Sequence, residues 1–223
     1  MLGLNAAAWA RIVPFALFMV LLAIRGAFEG STAIDPRWIY GLTVLIVGVA
    51  LAAYWRRYGE LHRPTGLTVR SMLLSLAVGL VVFAFWIHLD APWMMLGEPS
   101  ASFRPVDGEG RLQWPLVAVR LIGAALLVPV MEELFWRSFL MRWVDNPDFE
   151  RVSPRGVSLK AVLLSSAVFT LAHTLWLAAI LAGLAYAWLY RFTGSLWCAV
   201  VAHAVTNLAL GVWVVWTGNW AFW

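Results

Sequence analysis

Charge is scarce in this chain. Asp, Glu, Lys and Arg make up 13% of its 223 residues, against roughly 25% in an ordinary soluble domain. With 62% hydrophobic residues and a mean hydropathy of +0.80, that scarcity excludes a soluble monomer. No stretch is polar enough to form a separate aqueous unit, so residues 1–223 read as one integral membrane domain. Cysteine is almost missing as well. Cys198 stands alone in an apolar run, which excludes an intramolecular disulfide framework and a cysteine-rich metal cluster. A net charge of +4 invites a nucleic-acid reading, but the basic residues are scattered through short connections instead of gathered in a patch. No nucleic-acid partner is expected, and these residues read as orientation signals in a lipid bilayer. Internal repeats and low-complexity tracts are absent.

What the sequence does have is long apolar runs. A bilayer core of about 30 Å takes roughly 20 apolar residues as a helix, with every backbone polar group bonded inside the segment. Runs of that length lie at about 12–28, 38–55, 71–89, 114–136 and 194–216. As one helix, Leu159 to Tyr190 would be about 48 Å long at about 1.5 Å per residue, so two short spans with a turn near His173 to Trp176 are expected. The predicted fold class is all-α, a polytopic membrane helix bundle of about seven transmembrane helices. Three spans fall in residues 1–113 and the rest in 114–216. Arg11 inside the first run and Pro14 early in it argue against a cleavable signal peptide.

With seven spans, the N-terminal tail and the connections at 56–70, 142–160 and 191 share one face. That face holds Arg11, Arg56, Arg57, Arg63, Arg70, Arg142, Arg151, Arg155, Lys160 and Arg191, and the other holds Arg25, Arg37, Arg104 and Arg111. The bias places the N-terminus in the cytoplasm by the positive-inside rule. Trp38, Trp55, Trp114 and Trp197 fall at span ends, where amphipathic rings favour the interface. The connection from Asp90 to Gln113 carries Pro92, Pro99 and Pro105. It reads as an irregular passive loop, with a lid over the outer face as the alternative.

Ionisable groups inside a span cost about 3 kcal/mol unless paired or wetted, so their positions are functional candidates. The fourth span ends in Glu132, Glu133 and Arg137, the fifth contains Phe169 and His173, and the last contains His203 and Asn207. On a helix Glu133 and Arg137 are i and i+4 and can pair, while Glu132 is rotated about 100° away. Glu133 and Arg137 therefore read as support and Glu132 as free for chemistry. Pro129 is expected to kink the helix beside Glu132 and open room for water. His203 and Asn207, again i and i+4, project as adjacent hydrogen-bond donors. Arg120, six residues into its span, is expected to snorkel or pair locally. Pointing the polar groups of three spans into one water-containing cavity satisfies them together. That cavity is expected in the half of the bilayer nearer the N-terminal tail.

At these residues the sequence resembles the CPBP family of intramembrane endopeptidases, which includes type II CAAX prenyl proteases. Three motifs match in order: Glu132, Glu133 and Arg137; Phe169 and His173; His203 and Asn207. The run Thr193-Gly194-Ser195-Leu196-Trp197 resembles the family's approach to the last. The resemblance covers roughly Leu121 to Leu210 and leaves the first three spans without a role. It implies that 114–216 is a catalytic core and that the activity is peptide-bond hydrolysis within the membrane. Glu132 and His173 would activate water, and His203 and Asn207 would form the oxyanion hole. It implies no cofactor and no bound metal, and a peptide or protein substrate that is itself membrane-associated. The chain length and the opening Arg11-Ile12-Val13-Pro14-Phe15 also resemble bacterial CAAX-protease-related proteins found with exosortase sorting systems. That subgroup would place the chain in a bacterial inner membrane.

Three other readings stay open. Two histidines and a glutamate are also a recognised zinc set, although no HExxH sequence is present. A membrane scaffold or immunity-type protein could keep the polar cluster as structural glue. A transporter is the third, but no paired, similarly interrupted spans suggest repeats.

Overall fold

The computed structural model describes residues 4–30, 35–62, 65–97 and 103–223; Arg63 and Pro99 lie outside them. Among the described residues the chain is an all-α polytopic membrane bundle of eight helices. They are α1 (Ala6–Ala27), α2 (Pro36–Ala53), the single turn α3 (Gly59–His62), α4 (Val69–His88), α5 (Trp114–Asp145), α6 (Leu159–Leu171), α7 (Trp176–Thr193) and α8 (Leu196–Thr217). Helices α1, α2, α4, α5 and α8 are long and apolar enough to cross a membrane, and α6 is a shorter apolar helix. Two helices, α6 and α7, stand where the pair of short spans was expected, with residues 172–175 between them.

Local chemistry sets the ends. Asn5 accepts from the Ala8 N–H and starts α1 ahead of the expected boundary. Asp35 followed by Pro36 starts α2, and Thr68 with Ser71 forms a reciprocal capping box on α4. Gly194, at φ +74°, ends α7 in the left-handed conformation that glycine adopts without strain. The largest departure from expectation is α5, which runs on to Asp145. Its extra turns carry Arg137 and Arg142, both buried, so these charges are held by the protein and do not mark a water boundary.

The connections sort onto two ends of the bundle. At the N-terminal end, Arg11 donates to Glu60 at 2.7 and 2.8 Å and to Ser138 at 2.7 Å. Arg142 donates to Ser138, and Arg155 donates to the Thr193 carbonyl. At the opposite end, the Leu96 N–H donates to the Thr174 carbonyl at 2.7 Å and the Trp176 indole donates to the Trp93 carbonyl. Arg37 donates to the Arg104 and Val106 carbonyls there. This segregation is the one that seven alternating spans require.

Helix α8 packs against α4, α5 and α7 and forms the axis of the bundle. A Cβ at Gly79 of α4 would lie 2.5 Å from the Ala202 carbonyl oxygen of α8, so the close approach of these helices requires glycine there. In hydrocarbon, association rests on such close packing and on interhelical hydrogen bonds. Thr206 of α8 supplies one of the latter, donating to the Gly79 carbonyl at 2.9 Å.

Candidate active site

The site is built on an irregular stretch of α5. Residues Gly123–Leu127 and Leu134–Met141 are π-helical, and Val128–Glu133 between them is α-helical. Insertions of this kind concentrate at functional sites. In the first π segment the Val128 N–H donates to the Gly123 carbonyl, five residues back. The next bond in that register would run from residue 129 to Ala124, but residue 129 is proline and has no N–H. Asn207 of α8 fills the gap, its Nδ2 donating to the Ala124 carbonyl at 2.8 Å. The orphaned carbonyl thus fixes the carboxamide, whose second N–H remains for another acceptor.

Glu133 is completely buried and serves two partners. Its Oε1 accepts from His203 Nδ1 at 2.9 Å. Its Oε2 lies 3.2 Å from Arg137 Nε, close as charges but too poorly aligned for a hydrogen bond. Arg137 Nη2 also donates to the Gly183 carbonyl of α7, and its guanidinium lies 4.7 Å from the Phe169 ring centroid. Tyr186 stacks on the His203 imidazole at 5.1 Å between centroids. Its hydroxyl donates to Thr206. With Nδ1 engaged by Glu133, His203 has Nε2 left for any further contact.

His173 follows the end of α6. Its Nδ1 donates to the Phe169 carbonyl at 2.9 Å, which leaves Nε2 as the acceptor of the neutral ring. Trp86 meets its edge at 5.6 Å. Irregular backbone within a membrane protein is tolerated where it lines a cavity or is buried in protein, and here the Thr174 carbonyl is satisfied by the Leu96 N–H.

One cavity of about 280 Å³ is lined by Glu132, Phe169, His173, His203 and Asn207 together. Glu132 is 8% exposed, and its buried Oε2 has no hydrogen-bond partner. The sequence expectation that three spans aim their polar groups at one space therefore agrees with the geometry, as does the different standing of the adjacent glutamates. Among the described residues, no three His, Cys, Asp or Glu side chains are grouped to hold a metal ion.

Several features differ from expectation. His203 stands seven residues after the start of α8, about 10 Å along the axis from the N-terminal end of the bundle. The cavity nevertheless extends the other way. It shares Trp86, His173, Phe222 and Trp223 with an adjoining pocket of about 300 Å³ lined by Asp90, Met95, Thr174 and Asn219, at the far end of the bundle. Arg120, partly buried, takes the local alternative and sits against aromatic rings. It lines the cavity, with its guanidinium 4.6 Å from the Tyr40 ring. The 90–113 connection is no passive loop either, since Phe103 is fully buried behind the cavity against Tyr40 and Trp223. The first three spans, without a role in the sequence motifs, supply Phe18, Leu22, Arg25, Tyr40 and Trp86 to the wall. Tyr186 and Thr206 were also missed. Thr206 lies inside the last motif, but an aromatic residue in an apolar helix such as Tyr186 carries no signal of its own.

Residues 114–209 match the Type II CAAX prenyl endopeptidase Rce1-like family model. The match holds Glu132, Glu133, Arg137, Phe169, His173, His203 and Asn207 and none of α1, α2 or α4. No curated protein and no solved structure matches the chain.

Proposed function

We propose that this protein is an intramembrane endopeptidase of the glutamate-activated-water type. The observation that carries the reading is the convergence of Glu132, His173, His203 and Asn207 on one cavity inside an apolar bundle. The family of residues 114–209 supports the reaction class.

Glu132 takes a proton from a water whose oxygen attacks the peptide carbonyl carbon. His173 Nε2 accepts the second hydrogen bond of that water and aims its lone pair. The carbonyl oxygen becomes an oxyanion, held by His203 Nε2–H and the remaining Nδ2–H of Asn207. Glu133 balances the imidazolium that this donation requires. Glu132 then returns its proton to the amide nitrogen as the C–N bond breaks, leaving a new amine and a new carboxylic acid, which loses its proton to water on release. General-base help of this kind is worth about 10²- to 10⁴-fold, and each oxyanion donor about 2.7–4 kcal/mol. The spans of residues 1–113 form one membrane domain with the catalytic core of 114–216, because they wall the same cavity.

The substrate is a peptide or protein reaching the cavity from the membrane or its surface. The positive-inside bias supports an N-terminus in the cytoplasm. Zinc on the two histidines and Glu132 is the competing reading. Peptidomics of a deletion strain, complemented with wild type or with Glu132→Gln, tests the activity. Membrane peptides that accumulate without the gene should disappear on complementation with wild type and persist with Glu132→Gln. Identical peptide profiles in the deletion and wild-type strains would count against it.

A further inference from the structure

Two arginines line the cavity away from the reacting groups. Arg25, in the last turn of α1, is 4% exposed, and its Nε has no hydrogen-bond partner. Arg120, near the start of α5, also has an unpartnered Nε. Their guanidiniums lie 5.6 and 5.4 Å from the ring centroid of Phe103, so the two cations flank one aromatic side chain. Among the described residues, no Asp or Glu side chain forms an ion pair with either. Arg25 is buried and Arg120 partly buried, and two like charges beside one another without an ion-paired carboxylate are costly in an apolar bundle. Guanidinium forks are suited to a carboxylate, which accepts paired N–H bonds.

We infer that Arg25 and Arg120 form an anion subsite that binds a carboxylate of the peptide substrate. The inference rests on the proposed peptidase reading, since it names what the same cavity selects. The cavity lies among the helices, is partly open and adjoins a pocket with Asp90 and Asn219 in its wall, which suits a peptide entering lengthwise. Arg120 precedes Glu132 by twelve positions on α5, about 18 Å along the helix axis. An extended peptide covers that distance in about five residues. The selected carboxylate therefore lies about four to six residues from the scissile bond, as an acidic side chain or as the chain terminus.

The test uses full-length protein in lipid nanodiscs and matched apolar decapeptides. Each peptide carries Asp or Asn at one scanned position, or ends in a free or amidated terminus. Binding is read first, by anisotropy with Glu132→Gln protein, and is independent of turnover; cleavage by wild type is read second. The acid form should bind roughly 10- to 100-fold more tightly than its neutral twin. Whether the effect follows the scanned position or the terminus identifies the source of the carboxylate. Arg25→Gln with Arg120→Gln should bring the acid form down to the neutral one, and Arg120→Lys should keep part of the preference. If the double variant does not fold, the acid and neutral comparison on Glu132→Gln protein decides alone. Equal binding of acid and neutral peptides would overturn the inference, as would a preference that survives loss of both arginines. Equal peptide binding together with arginine-dependent binding of phosphatidylglycerol would overturn it in favour of a lipid headgroup. Selective binding without any cleavage would leave the subsite standing and count against the peptidase reading.

Discussion

His203 Nδ1 and Glu133 Oε1 are 2.9 Å apart, and the same carboxylate faces Arg137 at 3.2 Å. Glu133 is therefore more than a counterion on its own helix. It ties α5 to α8 and sets the orientation of the histidine that reaches the cavity. Its neighbour Glu132, one residue earlier, has a buried oxygen without a partner.

Glu133→Gln should accordingly destabilise the protein by about 3–5 kcal/mol, because Arg137 stays buried without its charge partner. Glu132→Gln should leave thermal stability unchanged or slightly raised, since it removes a poorly satisfied charge. Thermal unfolding in detergent, followed by size-exclusion fluorescence, separates the two. Equal melting temperatures for both variants would show that the glutamates do not differ in role.

Pro129 acts through the bond it cannot make. Pro129→Ala supplies an N–H that competes for the Ala124 carbonyl and releases the Asn207 carboxamide from its anchor. Stability should hold or rise, because a helix bond is gained, while peptide cleavage should fall by about tenfold, part of one oxyanion donor's worth. Unchanged cleavage in a fully folded Pro129→Ala protein would contradict the link between the proline and Asn207.

Much of this organisation was legible in the sequence. Hydropathy located the spans, because a bilayer demands long apolar helices. The scarcity of charge made Glu132, Glu133, Arg137, His173 and His203 conspicuous. What was hidden depends on residues brought together from far along the chain. The π register of Gly123–Leu127 is supported by the Asn207 carboxamide, 83 positions away, and no local pattern announces it. Arg11 looked like an interfacial cation because its acid, Glu60, lies 49 positions on in a connection. Arg25 and Arg120 looked peripheral because the ring between them, Phe103, comes from a loop with no regular period.

Glu60, in α3 at the bundle's end, provides a pH signature. Burial pushes its carboxyl pKa up, but the charge of Arg11 and the hydrogen bonds from Arg11 and Ser138 outweigh this and leave it below its ordinary 4.5. A lowered folded-state value stabilises the fold above the unfolded value and loses that contribution as pH falls through the folded one. The melting temperature of wild type should thus drop below about pH 4.3, near the ordinary glutamate value. Glu60→Gln should be less stable at neutral pH and show a flatter acid limb. Parallel acid limbs in the two proteins would contradict this assignment.

Sidedness is testable with single cysteines in a Cys198→Ala background. Arg151 lies at the N-terminal end of the bundle and Asn219 at the end where the cavity opens, and both are exposed. An impermeant maleimide applied to intact cells should label Asn219→Cys and spare Arg151→Cys. The reverse pattern would invert the proposed orientation.

The central claim is that Glu132 activates water to hydrolyse a peptide bond in this cavity without a metal. Its most direct measurement is cleavage of a membrane peptide by purified, chelator-treated protein in H₂¹⁸O, read by mass spectrometry. The account predicts that wild type places one ¹⁸O in the new carboxylate and that Glu132→Gln cuts the rate by about 10²- to 10⁴-fold. Cleavage undiminished in Glu132→Gln, or activity lost on chelation and restored by zinc, would contradict it.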